Sequence, residues 1–154
     1  MPDTVQNLEC IFDIQIWTVH NLTILNRIAP EEVAIAAKTI WQNHLIANAI
    51  SKDTVDLLMK TNARKFSFFN GKTSRGLVGG LFYLLGYKYD AVKNQKELAD
   101  RLGTSDVTIR ASYRCWLEEF PDLFQDVIGK LAQDQNLRWY VLVDLRRKIS
   151  TRQL

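Results

Sequence analysis

The residues of this 154-residue chain best suited to chemistry are Ser105, Thr108, Arg110 and Arg114. They are interleaved with Val107 and Ala111 in the run Ser105-Asp-Val-Thr-Ile-Arg-Ala-Ser-Tyr-Arg114. On a helix over 106 to about 120, each residue turns roughly 100°. That puts Ile109, Tyr113, Trp116, Leu117 and Phe120 on one side and Val107, Arg110, Ala111 and Arg114 on the other. The first face is core and the second is available. Two arginines beside a small and a methyl-bearing residue suit the major groove of duplex DNA, where Arg forks onto guanine or a phosphate and apolar groups meet the thymine methyl. Ser105 and Thr108 fall at the helix N-terminus, where the backbone favours phosphate. The same pattern also describes a solvated helix face opposite a core, and the residues alone leave both readings open.

Other chemistry is poorly supplied. His20 and His44 are the only histidines, and neither has metal-ligand spacing. His44 falls on the apolar side of its expected helix, which makes it a packed histidine and not a catalyst. Gly71-Lys-Thr73 ends like a phosphate-binding loop, but Phe66 stands where that loop requires a glycine. Gly76-Leu-Val-Gly-Gly80 lacks the preceding strand of a dinucleotide fingerprint. Cys10 and Cys115 are far apart and outside any zinc spacing, so both are expected to be reduced thiols in an intracellular chain. No enzymatic activity, metal or cofactor is expected.

A helix face can read DNA only if other elements hold it. Asn94-Gln-Lys-Glu97 reads as a capping box opening a helix over 95–102 that turns Leu98, Ala99 and Leu102 inward. Gly103 permits a left-handed turn, and Ala99, Gly103 and Ile109 have the spacing of a helix-turn-helix over 95–114. Before it, a helix from about 75 to 87 is apolar on every side and carries Gly76, Gly79 and Gly80, so it should lie at the centre with neighbours close against it. Pro30-Glu31-Glu32 starts a helix predicted to reach about Ala49 along Val33, Ala36, Ala37, Ile40, Trp41, His44 and Leu45. Ser51 is predicted to cap the next, whose inward face is Val55, Leu58, Met59, Asn62, Ala63 and Phe66, ending before the Asn70-Gly71 turn. A further helix is expected over 122–132. Residues 137–149 could be helix or strand. Residues 1–29, with Ile11, Phe12, Ile14, Ile16 and Trp17, read as an arm of undecided conformation.

Composition bounds the class. Apolar residues at 47% and charged residues at 24% match a globular chain, and the length suits one domain. The net charge of +3 is compatible with a polyanion but too small to signal one. Arg138, Arg146, Arg147, Lys148 and Arg152 face one acid, Asp144, in the last segment, which describes a solvated face as well as a phosphate-tracking stripe. The longest apolar stretch, 76–86, is too short to span a bilayer, and residues 1–7 lack the pattern of a signal peptide, so a soluble protein is expected.

Residues 51–124 resemble the second cyclin-like repeat of the transcription factor IIB family, including archaeal factor B and related initiation factors. The likeness rests on Gly71-Lys-Thr-Ser-Arg-Gly76 leading into a small-residue core helix with Leu81-Phe-Tyr83, on Asn94-Gln-Lys-Glu-Leu-Ala99, and above all on Asp106-Val-Thr-Ile-Arg-Ala-Ser-Tyr-Arg114. Pro121-Asp-Leu-Phe124 also looks like the segment that follows in eukaryotic members. The resemblance implies an all-α, cyclin-like five-helix domain over 30–124, with an arm over 1–29 and an extension over 125–154. It implies promoter DNA and TATA-binding protein as partners, RNA polymerase reached through other parts of the assembly, and a nuclear or archaeal cytoplasmic location. Carried over by position, Ser105, Val107, Thr108 and Arg110 would meet bases and backbone, with Arg114 and Lys96 completing the basic face. The chain departs from the family in having no Cys-rich ribbon and one repeat instead of two, and in Ser74 where the family usually has proline. It therefore reads as a fragment, a divergent relative or a single-repeat protein. A cyclin-fold module that binds protein and not DNA is the alternative.

Overall fold

Helix α3 (Ser74–Lys88) runs through the middle of the residues described by the computed structural model, 28–133, and is buried at every position from Gly76 to Tyr87. Around it lie α1 (Pro30–Ile40), α2 (His44–Arg64), α4 (Gln95–Leu102), α5 (Asp106–Glu119) and α6 (Gln125–Gln133). Two 3-10 turns, Phe66–Phe69 and Pro121–Phe124, complete an all-α arrangement among the described residues. α3 packs directly against α2, α4, α5 and α6, while α1 rests on α2 and touches α4. The helix or strand expected over 137–149, the basic residues Arg138 to Arg152 and the arm residues Ile11 to Trp17 lie outside the described residues.

The glycines of α3 set how deeply α5 sits. A Cβ at Gly80 would come within 2.8 Å of Ser112 Cβ and 2.9 Å of the Tyr113 backbone nitrogen, and closer still to Ser112 Oγ. A Cβ at Gly79 would overlap Ile109 Cδ1. Alanine would be the better helix former by about 1 kcal/mol at each position. Close approach of the two backbones is what glycine provides instead. Trp116 of α5 closes the contact, its indole N–H donating to the Leu77 carbonyl at 3.2 Å, with Phe68, Phe120 and Phe124 stacked around its ring.

The first two helices differ from the sequence expectation. The predicted helix to Ala49 ends at Ile40, and α2 starts at His44 with Asn43 as its cap, the Asn side chain accepting from the amides of Leu45 and Ile46 at 3.0 and 3.2 Å. Trp41 leaves the helix because it has a better place. It is buried, donates to the Ala91 carbonyl at 2.8 Å and stands edge-on to Phe82. The break rotates α2, so His44 and Leu45 are exposed and not packed. Ser51 is not a cap; it lies within α2 and donates to the Asn48 carbonyl. The inward face of α2 is Ala47, Ile50, Ser51, Thr54, Leu58 and Thr61, whereas Met59, Ala63 and Phe66, expected inside, are exposed and Val55 and Asn62 are half-buried. Burial of three hydroxyls is tolerable because each bonds a carbonyl of the preceding turn: beside Ser51, Thr54 bonds that of Ile50 at 2.7 Å and Thr61 that of Leu57 at 2.6 Å.

The chain between 122 and 132 is a 3-10 turn followed by α6, which buries Val127, Ile128 and Leu131. Ion pairs tie the periphery together: Arg64 grips both oxygens of Asp122, Lys65 meets Glu119, and Lys130 reaches Asp90 and the Lys88 carbonyl.

Candidate nucleic-acid interface

α4 and α5 are joined by Gly103, Thr104 and Ser105 alone. Asn94 caps α4 by accepting from the Glu97 amide at 2.7 Å, while the Glu97 carboxylate lies 3.8 Å from Lys93. Gly103 follows with φ of +70°, in the left-handed region that a Cβ resists. The amide of Thr104 then returns to the Ala99 carbonyl at 2.9 Å. Leu98, Ala99 and Leu102 are buried, as are Ile109, Tyr113, Trp116 and Leu117 on α5, so the pair is clamped to the core along both helices.

Arg75 adds a tie between α3 and the turn. From the first turn of α3 its guanidinium donates to the Gly103 carbonyl at 2.9 Å, so the central helix holds the turn directly. A basic residue 28 positions before a turn glycine leaves no local mark in the sequence.

The outward residues fall where the helical period puts them. Val107 is 63% exposed, and Arg110, Ala111 and Arg114 are exposed on the same side of α5, opposite Ile109, Tyr113 and Trp116. Ser105 caps the helix, accepting from the Thr108 amide at 3.1 Å, and its hydroxyl lies 2.9 Å from that of Thr108. Asp106 turns its carboxylate to the Val107 amide, where the positive helix end holds it. Arg110 donates from Nε to the Gln95 side-chain oxygen at 3.3 Å, which leaves its two terminal nitrogens for another partner. The sequence pattern does not single out Gln95. Lys96 is exposed on the next position of α4, where it lines a shallow depression with Glu97, Asp100 and Arg101. The structure therefore brings Val107, Arg110 and Arg114 together on the outward face of α5, with the cap Ser105 and the half-buried Thr108 at its start, and leaves Lys96 exposed on α4.

Along one edge of this face a groove of about 280 Å³ opens between the start of α3 and α5, with Lys72, Thr73 and Leu77 on one wall and Val107, Ala111 and Cys115 on the other. Cys115 is a free, half-buried thiol there. Beneath the face, burial raises the pKa of Tyr113, helped by Tyr83, whose ring centroid is 4.6 Å away; the neighbouring Arg114 and Arg110 pull the other way and do not prevail. Tyr113 stays neutral under the two arginines. Among the described residues no group of three His, Cys, Asp or Glu could hold a metal ion, and no helix is long and apolar enough to cross a membrane.

No protein-family model, curated protein or solved structure matches the chain.

Proposed function

We propose that the chain binds promoter DNA as part of a transcription initiation factor of the transcription factor IIB type, with α4 and α5 as a helix-turn-helix in a cyclin-like domain. The observation that supports this reading is the outward face of α5, where Val107, Arg110, Ala111 and Arg114 are all exposed on a helix locked from behind. Arg110, steadied by Gln95, reads a guanine edge, with Val107 and Ala111 against a thymine methyl. Ser105, Thr108 and Arg114 take phosphates, which position the helix and carry no sequence information themselves. TATA-binding protein is the neighbour on the promoter, RNA polymerase is engaged through other parts of the assembly, and the reaction is assembly without bond chemistry. A nuclear location goes with this role.

The test is a fluorescence-anisotropy titration on promoter duplex with and without TATA-binding protein, comparing the parent chain with Arg110→Ala. A base contact costs about 1–3 kcal/mol on the preferred site and much less on random duplex. Equal loss on both duplexes would make Arg110 a phosphate contact. No binding by the parent at low salt would refute the proposal and leave a protein-binding role for the same scaffold.

A further inference from the structure

Helix α2 carries a second face opposite its buried one. At about 100° per residue, Leu45, Ala49, Lys52, Asp56, Met59 and Ala63 fall within a single stripe, diametrically across from Ala47, Ile50, Thr54, Leu58 and Thr61. Leu45 is 82% and Met59 58% exposed, and Lys52, Asp56 and Ala63 are exposed as well. Ala49 is half-buried, and the two large apolar side chains, Leu45 and Met59, stand apart in a stripe whose middle is charged, so it is the order of the stripe and not its apolar area that marks a contact surface.

The order of the stripe identifies its partner. Read from either end toward the level of Thr54, it is the complement of itself: Leu45 answers Ala63, Ala49 answers Met59 and Lys52 answers Asp56. In each pair a large side chain meets a small one or a cation meets an anion. We infer that α2 docks antiparallel on α2 of a second copy of this chain, about a two-fold axis that crosses the helix at the level of Thr54. Such an isologous seam repeats every contact twice. The alanines let the helices approach while Leu45 and Met59 fill the space opposite them, and two Lys52–Asp56 pairs flank the axis. The stripe from Leu45 to Ala63 spans about 27 Å at 1.5 Å per residue, the length of a two-helix contact but a modest area, so the dimer is a weak one in the micromolar range. No residue of the α5 face takes part, and the inference stands independently of DNA binding.

Sedimentation velocity on the full chain, from micromolar to millimolar concentration, tests it. The parent should shift toward a dimer as concentration rises. Lys52→Asp and Asp56→Lys each create two like-charge pairs across the seam and should each weaken self-association about tenfold or more. Mixed one to one, they restore both pairs and should form a heterodimer at the concentration where each alone is a monomer. Met59→Glu should abolish association in either setting, with circular dichroism unchanged because the site is exposed. A parent that stays monomeric throughout, single variants that associate like the parent, or a mixture that fails to recover would each overturn the inference.

Discussion

Gly80→Ala tests whether α5 is held by backbone contact with α3. The new Cβ would gain about 1 kcal/mol in helix propensity. Against this, it would sit 2.8 Å from Ser112 Cβ and 2.9 Å from the Tyr113 nitrogen, atoms that no rotamer change can move. Overpacking costs about 1–3 kcal/mol, and a clash with backbone belongs at the top of that range. The net loss is therefore about 2 kcal/mol, or roughly 6 °C in Tm for a chain of this size. Two companions calibrate it. Gly79→Ala meets chiefly the mobile end of Ile109, so the methyl can swing aside and the change should be near neutral. Gly129→Ala, at an exposed position of α6 with nothing within 4 Å of the new Cβ, should stabilise by about 1 kcal/mol. Urea denaturation with linear extrapolation gives all three. If Gly80→Ala matched Gly129→Ala, propensity alone would govern both sites and the close crossing of α3 and α5 would be refuted.

Three further outcomes follow from particular contacts. Gly103→Ala places a Cβ at a φ of +70° and 3.3 Å from the Arg75 guanidinium, so it should cost about 1–2 kcal/mol, with Gly103→Asn milder; thermal melts rank them. Burial raises the Asp53 pKa, but hydrogen bonds from Lys88 and Tyr89 outweigh it and hold the carboxyl below its ordinary value, while the bond to Asp53 raises Lys88. The Asp53 contribution is thus complete above about pH 4 and fades as pH falls through the lowered value, whereas that of Lys88 is complete below about pH 10 and fades as pH rises through the raised one. Asp53→Asn should cost about 1 kcal/mol or less at neutral pH and flatten the acid limb of stability against pH; an unchanged acid limb would contradict the assignment. Ser112 Oγ is buried without a hydrogen-bond partner, so Ser112→Ala should raise the urea midpoint, by about 1 kcal/mol in stability.

Where the sequence is legible, the deciding contacts are local or periodic. Asn94, Gly103 and Ser105 cap and turn the chain within three or four residues of themselves, so the bounds of α4 and α5 can be read from the residues at their ends. The all-apolar run with three glycines likewise needs neighbours on every side. The period misleads at α1 and α2 because Trp41 is decided from afar. Its partners, Ala91 and Phe82, are 50 and 41 positions away, and their pull breaks a helix whose apolar period runs on unbroken. Once Asn43 restarts the helix, the buried face of Ala47, Ile50 and Leu58 also takes in hydroxyls that bond their own backbone. A hydrophobicity count scores Thr54 and Thr61 as outside and Met59 as inside, and both assignments are reversed.

The same long-range ties bear on how the α5 face would recognise a duplex. Its backbone is fixed three times over, by Gly79 and Gly80 beneath Ile109, Ser112 and Tyr113, by Arg75 on the Gly103 carbonyl, and by Trp116 on Leu77. A surface fixed in this way loses little backbone entropy on binding, and only its side chains remain to be ordered. Ordering an arginine costs about 0.5–1.5 kcal/mol, so one already restrained retains more of what it gains from a partner. Arg110 is restrained by Gln95 through Nε, which leaves the terminal fork whole for a bidentate contact. Arg114 is felt at Tyr113 through its positive charge, whereas Arg110 is the one that Gln95 holds. On the proposed reading, that difference makes Arg110 the residue through which α5 discriminates between sequences and Arg114 one that adds affinity to all of them.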